Sequence, residues 1–372
     1  MAAGEKVNRQ KSANKAVSFF NAPGEVEDWG VEVGGDEVEA VEDEGGVVCE
    51  TAAVENPSAA TMMSVNAENF MRLIVCNFCA RLCAPVRRSG GGVWRTVCAL
   101  LLIGSLSSCA WLDTKERQLV LRPTSGKPAN FEGLRPGDVA YALAVASPNV
   151  DTPQQIQMWW LPHANANAPT LLYLHGTFRN LYQNIQKINA LREAGFAVLA
   201  VDYRGWGDST PIVPSEASIY ADANSAWAEL VQRQANPNRR VIYGHSMGGG
   251  VAVELAHTKR KGVDYGALIL ESTFTRWPDV GAANGALGTV LSWFSSQRFA
   301  SIDKIASVDA PVLLLHGMAD TTVPISLGRR LFAAAPKGAR MVEIEGGSHS
   351  NLQREAPAVY QQAMRALISK LP

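Results

Sequence analysis

Beyond Cys109 the chain has no cysteine. All six (Cys49, Cys76, Cys79, Cys83, Cys98 and Cys109) fall in the first 109 of 372 residues. A thiol nucleophile, a thiolate metal centre and a disulfide framework are therefore excluded from residues 110–372, which can fold in a reducing or an oxidising compartment. An excess of one charge is lacking too. The 34 basic and 35 acidic residues leave a net charge of −1, so no long-range field gathers nucleic acid onto the whole molecule. No metal, nucleotide or flavin motif is present, and no cofactor is expected. What the chain does have is 47% hydrophobic against 19% charged residues, enough apolar material for a sizeable core. Its length suits one α/β unit of roughly 250 residues with additions.

The N-terminal third differs from the rest. Residues 1–70 follow neither a helical nor a strand period, and Glu25–Glu55 is rich in Glu, Gly and Val in no amphipathic order. Residues 1–92 are therefore expected to be a disordered or non-native extension. Cys76, Cys79 and Cys83 are spaced as metal ligands, but a tetrahedral site needs a fourth, and the nearest histidine is His163. No metal site is expected.

Arg87, Arg88 and Arg95 precede the ten-residue apolar run Val97–Leu106, which is followed by Ser107, Ser108 and Cys109. A basic flank, a short apolar core and small residues mark an export signal, and the run is about half of what a bilayer span requires. Leu106-Ser107-Ser108-Cys109 resembles the lipobox of bacterial lipoproteins. That resemblance implies that residues 93–109 are a lipoprotein-type signal, with Cys109 acylated and first in the mature chain. With Ala110 rather than Asp next, it implies an outer-membrane lipoprotein of the bacterial envelope, facing the periplasm and held by its lipid anchor. Sixteen residues run from Val93 to Ser108, a usual signal length if Val93 is the true start; Met71 is the longer option.

From Gln118 onward short β-branched runs alternate with longer helical stretches, the pattern of a parallel sheet covered on both faces. Strands Gln118–Arg122, Asp138–Ala144 and Gln155–Leu161 are expected to meander antiparallel. Strands Thr170–His175, Ala197–Asp202, Arg240–His245, Gly266–Glu271, Val312–His316 and Met341–Glu345 then alternate with helices Tyr182–Ala194, Glu216–Gln234, Met247–Arg260, Ile325–Ala335 and Ala356–Leu371. The rhythm lapses over about residues 273–305, where Trp277, Trp293, Phe294 and Phe299 either wall an apolar pocket as a small lid or pack a crossover.

Gly244-His245-Ser246-Met247-Gly248 lies between a buried-strand pattern and a helix, the strand–turn–helix context of a nucleophile elbow. The serine sits on a strained bend, and side chains two residues to either side would collide with the flanking backbone. Such a serine needs a histidine base and an acid to orient it. Among six histidines only His349 lies on a loop after the last strand, and Asp320 follows the strand before it. Glu271, closing an earlier strand, is the rival acid.

The order Ser246, Asp320, His349 resembles that of the α/β-hydrolase superfamily over Gln118–Pro372. His175-Gly176, Asp202-Tyr-Arg-Gly-Trp-Gly-Asp-Ser209, Glu271-Ser-Thr-Phe274 and Val323-Pro324 match it as well. The look is of the compact α/β-hydrolase-domain serine hydrolases. The resemblance implies an α/β-hydrolase fold over residues 110–372, a mostly parallel twisted sheet of about eight strands with helices on both faces and a small lid. Val323-Pro324 favours Asp320 over Glu271 as the acid, leaving Glu271 structural. The oxyanion hole is implied at the backbone N–H groups of Met247 and Thr177. Thr177 stands where relatives often have Asn, and Phe178 is the alternative donor. Asp202, Arg204 and Asp208 read as structural, with Arg204 pairing a carboxylate of its own turn.

The activity implied is hydrolysis of an acyl ester or thioester through an acyl-enzyme on Ser246, with a small or lipid-like acyl substrate. A lipid-anchored non-catalytic binding protein, an acyltransferase and a peptidase are the alternatives. Substrate and oligomeric state are not legible.

Overall fold

A computed structural model of the chain describes residues 17–21, 111–146, 152–286, 288, 289, 292 and 295–372. The Cys76–Cys83 cluster, the signal segment with Cys109, and Trp293 and Phe294 lie outside these residues.

Strands β2 (Val139–Val145), β3 (Gln154–Leu161), β4 (Thr170–Leu174), β5 (Ala197–Asp202), β6 (Arg240–His245), β7 (Ala267–Glu271), β8 (Val312–Gly317) and β9 (Arg340–Ile344) form one sheet. A further strand, β1 (Val17–Asn21), joins it, and the order is β1-β9-β8-β7-β6-β4-β5-β3-β2. The run β5 to β9 is parallel, whereas β2, β3 and β1 are antiparallel additions at its two ends. Strands β4 to β8 are buried at every residue, as expected where helices cover both faces. Edge strand β2 instead alternates in exposure.

Two apolar clusters occupy the two faces. Helices α3 (Glu216–Arg233) and α4 (Met247–His257) bring Trp227, Leu230, Val251 and Leu255 to one, where Ile156, Leu199 and Phe274 meet them. Helices α2 (Leu181–Ala194) and α6 (Pro357–Ile368) bring Ile188, Leu191, Tyr360 and Met364 to the other. Capping boxes at Asn180 and Ser215 start α2 and α3, and Gly195, at φ 116°, ends α2; a left-handed residue there is the usual glycine stop.

The structure departs from the sequence reading at two elements. The strand expected at Gln118–Arg122 is absent: residues 111–121 are helical, and this helix is α1. Lys115, Glu116, Arg117, Gln118, Leu119 and Leu121 are all good helix formers, and the Asp113–Arg117 pair spans one turn; five residues of mixed pattern could not outweigh them. The second departure is β1, which pairs with β9 from Val17↔Ile344 to Asn21↔Arg340, inside the segment expected to lack regular structure.

Between β7 and β8 lie helix α5 (Trp277–Ala283) and two short 3-10 turns, Ser301–Asp303 and Ile305–Ser307. Trp277 packs edge-on against Phe274, and Phe299 against Tyr220 of α3. For these two aromatics the packing role is the one observed. Among the described residues no helix is long and apolar enough to cross a membrane.

Candidate active site

Ser246 follows β6 and caps α4 with φ 54° and ψ −121°, a conformation L-residues rarely adopt. Its backbone N–H is tied to Glu271 O at 2.9 Å, and Gly249 N–H donates to Ser246 O at 2.9 Å. The two flanking glycines are obligatory. A Cβ on Gly244 would stand 2.2 Å from Gly248 O, and one on Gly248 2.1 Å from Leu174 O. The elbow thus presses against the end of β4.

The loop after β9 carries His349 across to it. His349 Nε2 lies 3.0 Å from Ser246 Oγ, and His349 Nδ1 lies 2.7 Å from Asp320 Oδ2. Asp320 Oδ1 accepts the N–H groups of Thr322 and Val323 at 2.9 and 2.8 Å. The structure therefore brings Ser246, His349 and Asp320 into one hydrogen-bonded chain. Burial by itself would raise the Asp320 pKa. The bonds from His316 and His349, the charge on His349 and the Val323 N–H outweigh it and hold the carboxyl well below the usual range.

Glu271 is not part of this chain. Its carboxylate is fully buried, ion-paired with Lys187, and accepts the hydroxyls of Tyr243 at 2.6 Å and Tyr360 at 3.0 Å. Only its backbone touches the elbow.

The backbone N–H groups of Met247 and Thr177 meet no acceptor among the described residues. Gly176 lets the second approach: a Cβ there would stand 2.9 Å from Ser246 Cβ. Arg179 N–H closes on Thr177 O at 2.9 Å around Phe178, whose φ is 68°. So tight a turn at a bulky residue is strained and persists only when its surroundings hold it. They do: Thr124 Oγ1 donates to Phe178 O at 2.7 Å, and Asn180 Nδ2 donates to Gly126 O at 2.9 Å.

Two histidines set aside in the sequence reading touch the site. His245 Nε2 lies 3.0 Å from His349 O, supporting the loop of the base. His316 Nε2 lies 2.9 Å from Val323 O and 3.4 Å from Asp320 Oδ2. The four-residue spacing from His316 to Asp320 was the available signal for the second; nothing local signals the first. Arg204 corrects a smaller expectation. Its guanidinium bonds Asp222 of α3 at 2.8 Å and Gln154 at 2.6 Å rather than a carboxylate of its own turn. Asp202 instead lies 3.2 Å from His175 and accepts the Leu181 N–H.

A family model described as serine aminopeptidase, S33 matches residues 165–303, which include Ser246 but stop short of Asp320 and His349. An uncharacterized protein of Mycobacterium tuberculosis is 30% identical over 285 residues, 74% of this chain and 94% of its own length. The lysophosphatidylserine lipase ABHD12 of Danio rerio is 35% identical over 193 residues, 48% of this chain and 50% of its own. Among solved structures, an esterase of Pyrococcus furiosus superposes with a TM-score of 0.51 at 15% identity, covering 66% of this chain and 96% of that one; this likeness concerns the fold. The chain belongs to the α/β-hydrolase superfamily, on its serine hydrolase side.

Proposed function

We propose that the protein hydrolyses an acyl ester or thioester by way of an acyl-enzyme on Ser246. The observation that carries this reading is the continuous chain Ser246–His349–Asp320, at 3.0 and 2.7 Å. His349 Nε2 takes the proton of Ser246 Oγ as that oxygen attacks the acyl carbon. The oxyanion forms against the N–H groups of Met247 and Thr177, where the N-terminus of α4 adds favourable potential. His349 returns its proton to the leaving alcohol or thiol. Water, deprotonated in turn by His349, then releases the acid and frees Ser246. Asp320 fixes the tautomer with the proton on Nδ1.

A cleft of about 460 Å³ opens beside the loops of Thr177 and His349, with Arg179, Asn351 and Arg354 among its lining residues. Neither Ser246 nor His349 lines this cleft; its two guanidinium groups, Arg179 and Arg354, support an acyl substrate that carries an anionic group. The printed name of the ABHD12 relative supports the same class. The Leu106–Cys109 pattern supports a lipid-anchored protein of the bacterial envelope, proposed on sequence alone.

Fluorophosphonate labelling, with turnover of p-nitrophenyl esters of graded chain length and of anionic and zwitterionic lysophospholipids, tests the function. Ser246→Ala is expected to abolish labelling and to lower turnover roughly 10⁶-fold while the chain stays folded, and His349→Ala to come close to it. Retained covalent labelling of Ser246→Ala overturns the assignment. Absence of any turnover in a labelled wild-type chain favours the binding-protein alternative, and preference for aminoacyl anilides favours the peptidase.

A further inference from the structure

Helix α1 turns Val120 and Leu121 to the core at its C-terminal end, yet it carries a second, outward apolar stripe that a helix at a water-facing surface does not need. Three of its four charged residues, Asp113, Glu116 and Arg117, face the body. Asp113 accepts a hydrogen bond from Ser296 at 2.7 Å, Glu116 one from Ser295 at 2.6 Å, and Arg117 donates to Val213 O and Pro214 O. Its outer face carries Trp111, Leu112 and Leu119, with relative exposures of 60%, 58% and 56%. Together with Lys115 these residues stand at i, i+1, i+4 and i+8, a single stripe. A lone exposed leucine needs no explanation, but an apolar face does.

The stripe continues toward the candidate active site. Arg122 Nε donates to Leu119 O at 2.9 Å, and its guanidinium lies 5.1 Å from the ring centre of Phe178, itself 46% exposed on the loop of Thr177. Residues 122–126, which follow α1 directly, supply the Thr124 and Gly126 contacts that hold this loop.

We infer that the outer face of α1, continued by Phe178, is a lipid-docking surface that rests the body on a bilayer beside the Thr177 loop. Chain order names the occupant. Cys109 precedes Trp111 by two residues, a reach of at most about 7 Å, and the apolar run Val97–Leu106 ends five residues before it. Whichever of the two meets the membrane, Trp111 is held at headgroup depth, where tryptophan is favoured. Leu112 and Leu119 enter the acyl boundary and Lys115 reaches back to the headgroups. The docking assignment is independent of the hydrolase reading; its consequence, that substrate enters from the lipid past Phe178, rests on it.

The test uses the full chain carrying Ser246→Ala, so that docking is read without turnover. The Trp111 signal is the fluorescence difference between this chain and the same chain with Trp111→Phe. With phosphatidylcholine–phosphatidylglycerol vesicles it is expected to shift to the blue and, when the lipids are brominated, to lose about half its intensity or more. Leu112→Asp with Leu119→Asp is expected to restore the unquenched signal. A Trp111 signal that lipid leaves unchanged overturns the proposal, as does quenching that survives the Asp pair. A signal already blue-shifted without lipid means that the upstream run or a second copy covers the face, and also overturns it. In the active chain, the Asp pair is expected to lower hydrolysis of vesicle-borne p-nitrophenyl palmitate about tenfold or more and of soluble p-nitrophenyl acetate less than about twofold. Equal losses on the two substrates overturn the link between docking and substrate entry.

Discussion

Asp320 is enclosed by donors on every side that matters: His349 and His316 at Oδ2, and the N–H groups of Thr322 and Val323 at Oδ1. Glu271 is just as satisfied, but its partners Lys187, Tyr243 and Tyr360 are all away from the base. The two acids therefore separate by experiment. Asp320→Asn is expected to lower kcat roughly 10⁴-fold by favouring the wrong tautomer of His349, and also to lower the melting temperature, because the carboxylate that its donors stabilise is lost. Glu271→Gln strands the buried Lys187 charge, which costs about 3–5 kcal/mol, and leaves kcat of the folded fraction nearly unchanged. Steady-state kinetics beside a thermal melt read both. The reverse pattern moves the acid to the end of β7.

At the scale of elements, parallel pairing of β6, β7, β8 and β9 sets Ser246, Asp320 and His349 beyond the same edge of the sheet, each on the loop or turn that follows its strand, while Glu271 is the last residue of β7. The elbow also needs β4 close by, and Gly248 is what permits it. β1 stands at the opposite limit of the sheet, antiparallel to β9 and pairing on one side only. If the chain matures at Cys109, β1 is removed and β9 becomes the edge, a change that leaves the parallel core untouched. Mass spectrometry of protein from its native cell is expected to find a diacylated Cys109 at the N-terminus. Peptides from residues 1–70, or an unmodified Cys109 joined to Ser108 in most molecules, would sink the lipoprotein reading.

His245 and Asp320 should cost the molecule stability in acid in two stages, opposed by Asp222, Asp202 and Glu116, whose carboxyl pKa values burial raises. His245 is held neutral, its pKa pushed well below the ordinary value by burial first, then by the Lys187 charge and the charge of His349. In the unfolded chain a histidine protonates near pH 6.5, so below that pH the unfolded state binds the extra proton. Stability contributed by the neutral ring is present above about pH 6.5 and falls as pH drops, by at most about 1.4 kcal/mol per unit. Asp320, depressed in the fold, adds a second loss as pH falls below about 4, where the unfolded carboxyl takes up its proton first. His245→Gln keeps a donor for His349 O and removes the first stage. Its melting temperature is expected to change less than that of wild type between pH 7.5 and pH 5; an equal change in both excludes His245 as the source.

The alternation of strand and helix after Pro169 and the elbow glycines are legible from residue order, because each depends on neighbours a few positions away; the chain order Ser246, Asp320, His349 is legible through its resemblance to the superfamily. The sequence alone also separates His349 from the other histidines, since loop position is a local property. Tertiary structure decided what depends on residues far apart in the chain. It gave the Glu271 carboxylate to Lys187, Tyr243 and Tyr360, and it placed His245 under the loop of His349. The helix at residues 111–121 and the polarity of its two faces also required it, because which side of α1 is inner depends on Ser295 and Ser296, some 180 residues later. Local propensity sets where an element begins and which residues share a face. Only the packing of the sheet and the segment between β7 and β8 sets what that face meets, and an apolar stripe pointing away from the core has no signature in a sequence where burial and exposure read alike.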